Sequence, residues 1–285
     1  MRELAQGARR VLALHRSVTW REAASAIEGR LGLAVKEVRL PQDEGLYVRA
    51  WGGEPALILV DPTSGGRERL LFTVLHELCH HLIQTDRALL SFVEEYCPSE
   101  EDTKQTKDTL CNIGAAEMLI PSERVRQAIA EQGFSISLVP ELERQHPASK
   151  PAITAQLADC ASHQCVVVVC EFGVRPARPA LDNDPGEFNP NAQPELYVVD
   201  AWSSRSLKYT VRRYTVVRTA HLLAQVYRTH RLTRDLAPIP FATNTRWIVE
   251  CEAILYKGRV YAVFNATRPV SARQPRLFTD GAVRV

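Results

Sequence analysis

The run Phe72-Thr73-Val74-Leu75-His76-Glu77-Leu78-Cys79-His80-His81-Leu82-Ile83 constrains this chain more than any other stretch. Leu71, Leu75, Leu78 and Leu82 recur at i, i+4, i+7 and i+11, the stripe of an amphipathic helix lying on a core. On such a helix His76 and His80 lie one turn apart on one face, where both imidazoles can reach a single cation. Glu77 lies beside that face, able to act on a water in the cation's open position. His81 sits about 100° round from His80 and reads as a solvated or supporting residue. The pattern implies metal-assisted hydrolysis, with a peptide bond as the expected substrate.

A tetrahedral catalytic cation takes a third protein ligand and keeps one corner open. The next histidine after His81 is His146, so the third donor is expected to be a carboxylate from a later helix. Glu94, Glu95, Glu100, Glu101, Asp102, Asp108 and Glu117 are the candidates. Residues 106–120 read as a helix with Asp108, Cys111, Asn112, Ala115 and Leu119 near one side and Glu117 near another. Asp108 and Glu117 are roughly 180° apart on that helix, so one cation cannot easily take both. Asn112 lies one turn below Asp108 and is suited to hydrogen-bond a ligating imidazole, which favours Asp108. Spacing singles out no oxyanion stabiliser.

The chain has 285 residues, room for two or three domains, and an ordinary hydrophobic content of 45%. No run approaches the length of apolar sequence that spans a membrane, and the first residues lack a signal-peptide core. Seven cysteines form no Cys-x-x-Cys pair, which points to buried thiols in a reducing cytoplasm. Cys79, among apolar neighbours, reads as packing. The net charge of +2 hides an asymmetry: residues 201–285 hold 15 Lys/Arg against 4 Asp/Glu. That basic third suits either nucleic acid or the acidic remainder of the chain.

Residues 1–15 read as a helix, and Val18-Thr19-Trp20-Arg21-Glu22 opens a second that ends near residues 29–32. Strands are expected over 33–40, 45–50 and 56–60, ahead of the histidine-bearing helix. The acidic stretch 94–108 reads mostly as a solvated loop. Beyond Pro121, Ser122 is the expected N-cap of a helix over 125–132, followed by helices over 138–145 and 152–162. Those three helices suggest a helix-turn-helix-like unit, although the second lacks the basic face of a DNA reader. Then the texture turns to β: Val166-Val167-Val168-Val169 reads as a strand covered on both faces. A surface loop over 175–194, strands over 196–200 and 207–211, and a helix over 219–230 follow. The chain closes with a hairpin, 247–255 and 259–265, around Tyr256-Lys257-Gly258.

The two ligand-bearing segments, from Phe72 to His81 and from Asp108 through Asn112, Gly114 and Glu117 to Pro121, resemble the ImmA/IrrE family of metallopeptidases. The resemblance is strong over the first 125 residues. It implies an α+β fold in three parts: a small zincin-like metallopeptidase domain (1–125), a helix-turn-helix-like module (126–163) and a GAF-like sensor domain (164–285). It also implies an endopeptidase of the gluzincin-like kind that cleaves a helix-turn-helix transcriptional repressor of the DdrO type, releasing DNA-damage and radiation-response genes. Carried onto this chain, the family roles make His76 and His80 metal ligands and Glu77 the catalytic base and acid. The family's third ligand is a Glu opening the pattern Glu-x-x-x-Asn. Asp108 stands in that place, with a reach roughly 1.5 Å shorter, and Asn112 is retained. Zn²⁺ is the expected cofactor, with Mn²⁺ as the alternative a carboxylate ligand allows. The expected partners are the repressor substrate and a small ligand at the last domain. The competing reading is a metal-free or DNA-binding regulator acting through its basic C-terminal domain.

Overall fold

A computed structural model describes residues 1–15, 17–41, 43–176, 193–241 and 247–270, the side chains of 268–270 excepted. The chain is a mixed α+β protein that divides into two compact units, Met1–Cys160 and Ala161–Val285.

The first unit opens with helix α1 (Arg2–Leu12), whose C-cap Ala13 takes the left-handed conformation. Helix α2 (Trp20–Leu31) begins at a capping box in which the Thr19 side chain accepts from Glu22 N–H while the Glu22 carboxylate accepts from Thr19 N–H. Three short strands follow, β1 (Ala34–Glu37), β2 (Gly45–Val48) and β3 (Leu57–Val60), in the order β1-β3-β2. β1 runs parallel to the central strand and β2 antiparallel to it. Ile58 and Val60 are fully buried and seat the sheet on the next helix.

That helix, α3 (Arg67–Thr85), carries the histidines. Leu71, Leu75 and Leu78 are buried as the periodicity demands, but Leu82 is only half-buried, and Ile83 takes the core position instead. Helix α4 (Arg87–Tyr96) starts at the Asp86 cap, and α5 (Glu100–Leu119) packs along α3. The acidic stretch 94–108 is therefore helical on either side of a short break at 97–99, rather than mostly a loop. Ser99 caps α5 through the Asp102 N–H, and Glu100, Glu101 and Asp102 fill its first turn, where carboxylates offset the positive end of the helix dipole. Helices α6 (Ser122–Gln132), α7 (Leu138–Gln145) and α8 (Lys150–Cys160) complete the unit. Pro121, not Ser122, is the residue preceding α6; Ser122 is its first helical residue, and its hydroxyl donates to Glu117.

The second unit is an antiparallel sheet of β4 (Cys165–Gly173), β5 (Glu195–Ser203), β6 (Thr233–Pro238), β7 (Ile248–Tyr256) and β8 (Arg259–Val270), ordered β5-β4-β8-β7-β6. Helix α9 (Leu222–Thr229) packs on it. Val166, Val168 and Cys170 face the core with Phe264 and Leu223, while Val167 and Val169 on the opposite face are buried too. The β7–β8 hairpin closes on Lys257-Gly258, both at positive φ (47° and 80°), the two-residue turn whose twist matches the strands it joins. Residues 207–211, expected as a strand, have no sheet partner among the described residues, and β6 lies outside the strands expected from the sequence. Most of the expected loop over 175–194 lies outside the described residues.

Candidate active site

Burial of the leucine stripe turns the opposite side of α3 toward α5 and β2, and three of its side chains converge there. The rings of His76 and His80 stand 5.0 Å apart, edge to face. His76 Nδ1 donates to Asn112 Oδ1 at 3.0 Å, which fixes the tautomer and leaves the Nε2 lone pair free. His80 Nε2 lies 3.5 Å from Asp108 Oδ1. That is long for a hydrogen bond, yet it is the separation of two donors on one tetrahedral cation with bonds of about 2.1 Å.

Burial, joined by the neighbouring His76, brings His80 down to about 4, and burial lowers His76 as well. Both imidazoles are thus neutral at ordinary pH, the form that ligates metal.

Glu77 is 8% exposed. Its Oε2 accepts the Tyr47 N–H of β2 at 2.7 Å. Desolvation drives its carboxyl up to about 7 against that hydrogen bond, with Asp108 and Asp43 adding repulsion. β2 comes this close because residue 45 is glycine: a Cβ there would stand 2.5 Å from Thr73 Cγ2 and 3.0 Å from Glu77 Cγ. His81, one turn beyond Glu77, has Nδ1 3.2 Å from the Tyr47 hydroxyl. Tyr47 thus touches α3 twice, and nothing in the spacing of the sequence singled it out.

Among the described residues, the metal-ligating atoms of His76, His80 and Cys111 all lie within 4.8 Å of one another. These three and Asp108 fit a divalent cation by the chemistry of their donors: two neutral imidazoles, a thiol and a carboxylate. Cys111 was placed on the Asp108 side of its helix by periodicity but given no role. The other carboxylates stand elsewhere. Glu94, Glu95, Glu100, Glu101 and Asp102 are exposed on α4 and α5. Glu117 is fully buried and paired with Arg2 at 2.8 Å. Cys79 is buried at the crossing of α3 and α5, its sulfur against Gly114.

A helix presenting His-Glu-x-x-His beneath a three-stranded sheet, faced by a second helix with further donors, has the make-up of a metallohydrolase centre. Within this class, the chain resembles the ImmA/IrrE metallopeptidases, and its residues 28–156 match the IrrE N-terminal-like domain of the peptidase M78 family. It is 28% identical over 245 residues to the radiation response metalloprotease IrrE of Deinococcus radiodurans, spanning 86% of this chain and 72% of that protein. With the protein of the same name from Deinococcus deserti, identity is 26% over 244 residues, 86% of this chain and 82% of the relative. Among solved structures, a Mycobacterium tuberculosis transcriptional regulator superposes with a TM-score of 0.54 at 13% identity, covering 93% of this chain and 77% of that one. That last likeness concerns the fold alone.

Proposed function

We propose that this chain is a metal-dependent endopeptidase that cleaves a helix-turn-helix repressor of the DdrO type and so releases DNA-damage and radiation-response genes. The observation that carries the reading is the pair of neutral imidazoles beside a desolvated glutamate, inside the stretch that matches the IrrE N-terminal-like domain. His76, His80 and Asp108 are the residues that would hold the cation, Zn²⁺ before Mn²⁺, with Asn112 orienting His76. When bound, the cation polarises the scissile carbonyl and makes water a nucleophile near neutral pH.

Glu77 takes the proton of the attacking water and returns it to the departing amine. Its carboxyl, brought up to about 7, suits both halves of that exchange near neutrality. The Tyr47 N–H holds one carboxylate oxygen and leaves the other for the proton.

Residues 1–125 act as the zincin-like catalytic part, 126–163 as a helix-turn-helix-like interaction or spacer module, and 164–285 as a GAF-like sensor. A cavity of about 240 Å³ in the second unit, lined by Phe172, Leu196, Tyr227, Arg218 and Arg228, is the place for a small ligand. Phe172 and Tyr227 are stacked there at 4.9 Å. The setting proposed is cytoplasmic, in keeping with seven free thiols. Among the described residues no helix is long and apolar enough to cross a membrane.

The test is incubation of the full chain and a candidate repressor with Zn²⁺ or Mn²⁺, followed by gel and mass analysis. Cleavage is expected, blocked by chelator and reduced about 10²–10⁴-fold in Glu77→Gln, which keeps its metal. Retained turnover in Glu77→Gln sinks the assigned role. Stoichiometric absence of metal sinks the whole reading and leaves the regulator acting through its basic C-terminal third.

A further inference from the structure

We infer that His81 is a positioning residue for Glu77: it acts through Tyr47, holding β2 where the Tyr47 N–H meets the Glu77 carboxylate. This rests on the hydrolytic reading above and deepens it, because it names what keeps the base in place.

Three observations carry it. First, Arg69, Thr73, Glu77 and His81 recur every four residues along α3 and form one slanting row on its surface. Each of them meets β2 or the residue before it. Arg69 Nη2 donates to Glu44 at 2.8 Å and the Thr73 hydroxyl donates to the same carboxylate at 3.3 Å. Glu77 accepts the Tyr47 N–H at 2.7 Å, and His81 Nδ1 stands 3.2 Å from the Tyr47 hydroxyl. Second, β2 is a four-residue strand at the end of the order β1-β3-β2, with β3 its one strand partner among the described residues. The Tyr47 N–H goes to Glu77 and adds nothing to the sheet, so the free edge of β2 depends on α3 for its place.

Third, the two ends of the row differ. The Arg69–Glu44 pair is 61% and 35% exposed, and water screens it. At the other end Tyr47 and His81 are half-buried, their rings edge to face with centroids 5.6 Å apart. The firmer anchor therefore holds the side chain of the same residue whose backbone holds Glu77. Removing it frees the Tyr47 ring and lets β2 drift from α3, and a misplacement of about 1 Å at a reacting centre can cost about 10²-fold in rate.

The experiment measures kcat and KM of the full chain with Zn²⁺ and a candidate repressor. His81→Ala and Tyr47→Phe should each lower kcat by about 10–10²-fold, with KM and bound Zn²⁺ unchanged. Together they should lower it no further than either alone, as two residues acting as one unit do. His81→Asn should restore most of kcat, because its side-chain amide offers a donor or an acceptor near the place of Nδ1. A second readout needs neither metal nor substrate. Labelling with ¹⁵N-tyrosine reports the tyrosine amides alone, and the resonance lost in Tyr47→Phe is that of Tyr47. Its short bond to a carboxylate should hold the proton downfield; His81→Ala should move it upfield and His81→Asn should leave it in place. Unchanged kcat or an unmoved Tyr47 amide in His81→Ala overturns the inference and leaves the hydrolytic reading standing, as does a loss that His81→Asn does not restore. An inactive unmodified chain overturns both. Tyr47→Phe removes one oxygen and keeps the ring, so the kinetic test holds even where His81→Ala fails to fold.

Discussion

A carboxylate with no solvent exposure stays an anion only where donors replace its water, and Glu117 has that supply. Its oxygens accept from Gln6 at 2.9 Å, from the Ser122 N–H at 3.0 Å and hydroxyl at 3.1 Å, and from Gln156 at 3.2 Å, with Arg2 at 2.8 Å as the counter-charge. This is why Glu117, one of two carboxylates singled out for the third ligand position, serves instead to tie α1, α5, α6 and α8 together. Removing one partner of a buried pair costs about 3–5 kcal/mol, and Arg2, 22% exposed, argues for the lower end. Glu117→Ala should therefore lose about 3 kcal/mol in urea unfolding with its metal content unchanged. Burial alone would raise this carboxyl, but the hydrogen bonds from Gln6, Ser122 and Gln156 outweigh it and hold the group below its ordinary 4.5. A depressed acid contributes stability that is complete above the ordinary value and fades as pH falls through the folded one. The melting temperature of the unmodified protein should thus fall more steeply below pH 4.5 than that of Glu117→Gln; parallel curves would rule this linkage out.

At the scale of elements, the spacing of the metal donors is set by how closely α3 and α5 cross, and Gly114 sits at that crossing. A Cβ there would stand 2.5 Å from Met1 Cε, which can swing aside, and 2.6 Å from the buried Cys79 Sγ, which cannot. Alanine gains about 1 kcal/mol over glycine inside a helix, while overpacking a core costs about 1–3 kcal/mol. Gly114→Ala should come out destabilised and, by wedging the helices apart, should bind Zn²⁺ more weakly in competition with a chromophoric chelator. Unchanged affinity would show that this crossing does not govern the site. The same elements explain what could be read in advance. α3 announced itself through its leucine period, and the β7–β8 hairpin through Lys257-Gly258, because both signals are local. β6 gave no signal: it is an edge strand whose one buried side chain is Ala237, so no alternation exists to detect. Residues 207–211 differ for the opposite reason, since Leu207 and Val211 are buried at strand-like spacing although among the described residues no strand pairs with them. Tyr47 and Cys111 reach α3 from 30 or more residues away in sequence, and periodicity reports which face a residue occupies, never which other face it meets.

For the whole molecule, the division into Met1–Cys160 and Ala161–Val285 has a thermodynamic consequence. Each unit has its own core: Leu71, Leu75, Leu78 and Met118 in the first, Val168, Phe264, Val198 and Leu223 in the second. Units with separate cores can unfold separately, so calorimetry of the full chain should resolve two transitions. The metal donors belong to the first unit alone, and a ligand that binds only the folded form stabilises it by RT ln(1 + [L]/Kd), about 2.7 kcal/mol at a hundredfold excess over Kd. For a unit of this size that amounts to a rise of roughly 5–10 °C. Added Zn²⁺ should raise one transition by that amount, chelator should return it, and the other should stay in place under both. Which transition belongs to which unit follows from Phe264→Ala, whose cavity costs about 3–5 kcal/mol and should lower only the transition that Zn²⁺ leaves alone. If Zn²⁺ moved both transitions together, or Phe264→Ala lowered the zinc-sensitive one, the two units would have to unfold as a single cooperative body.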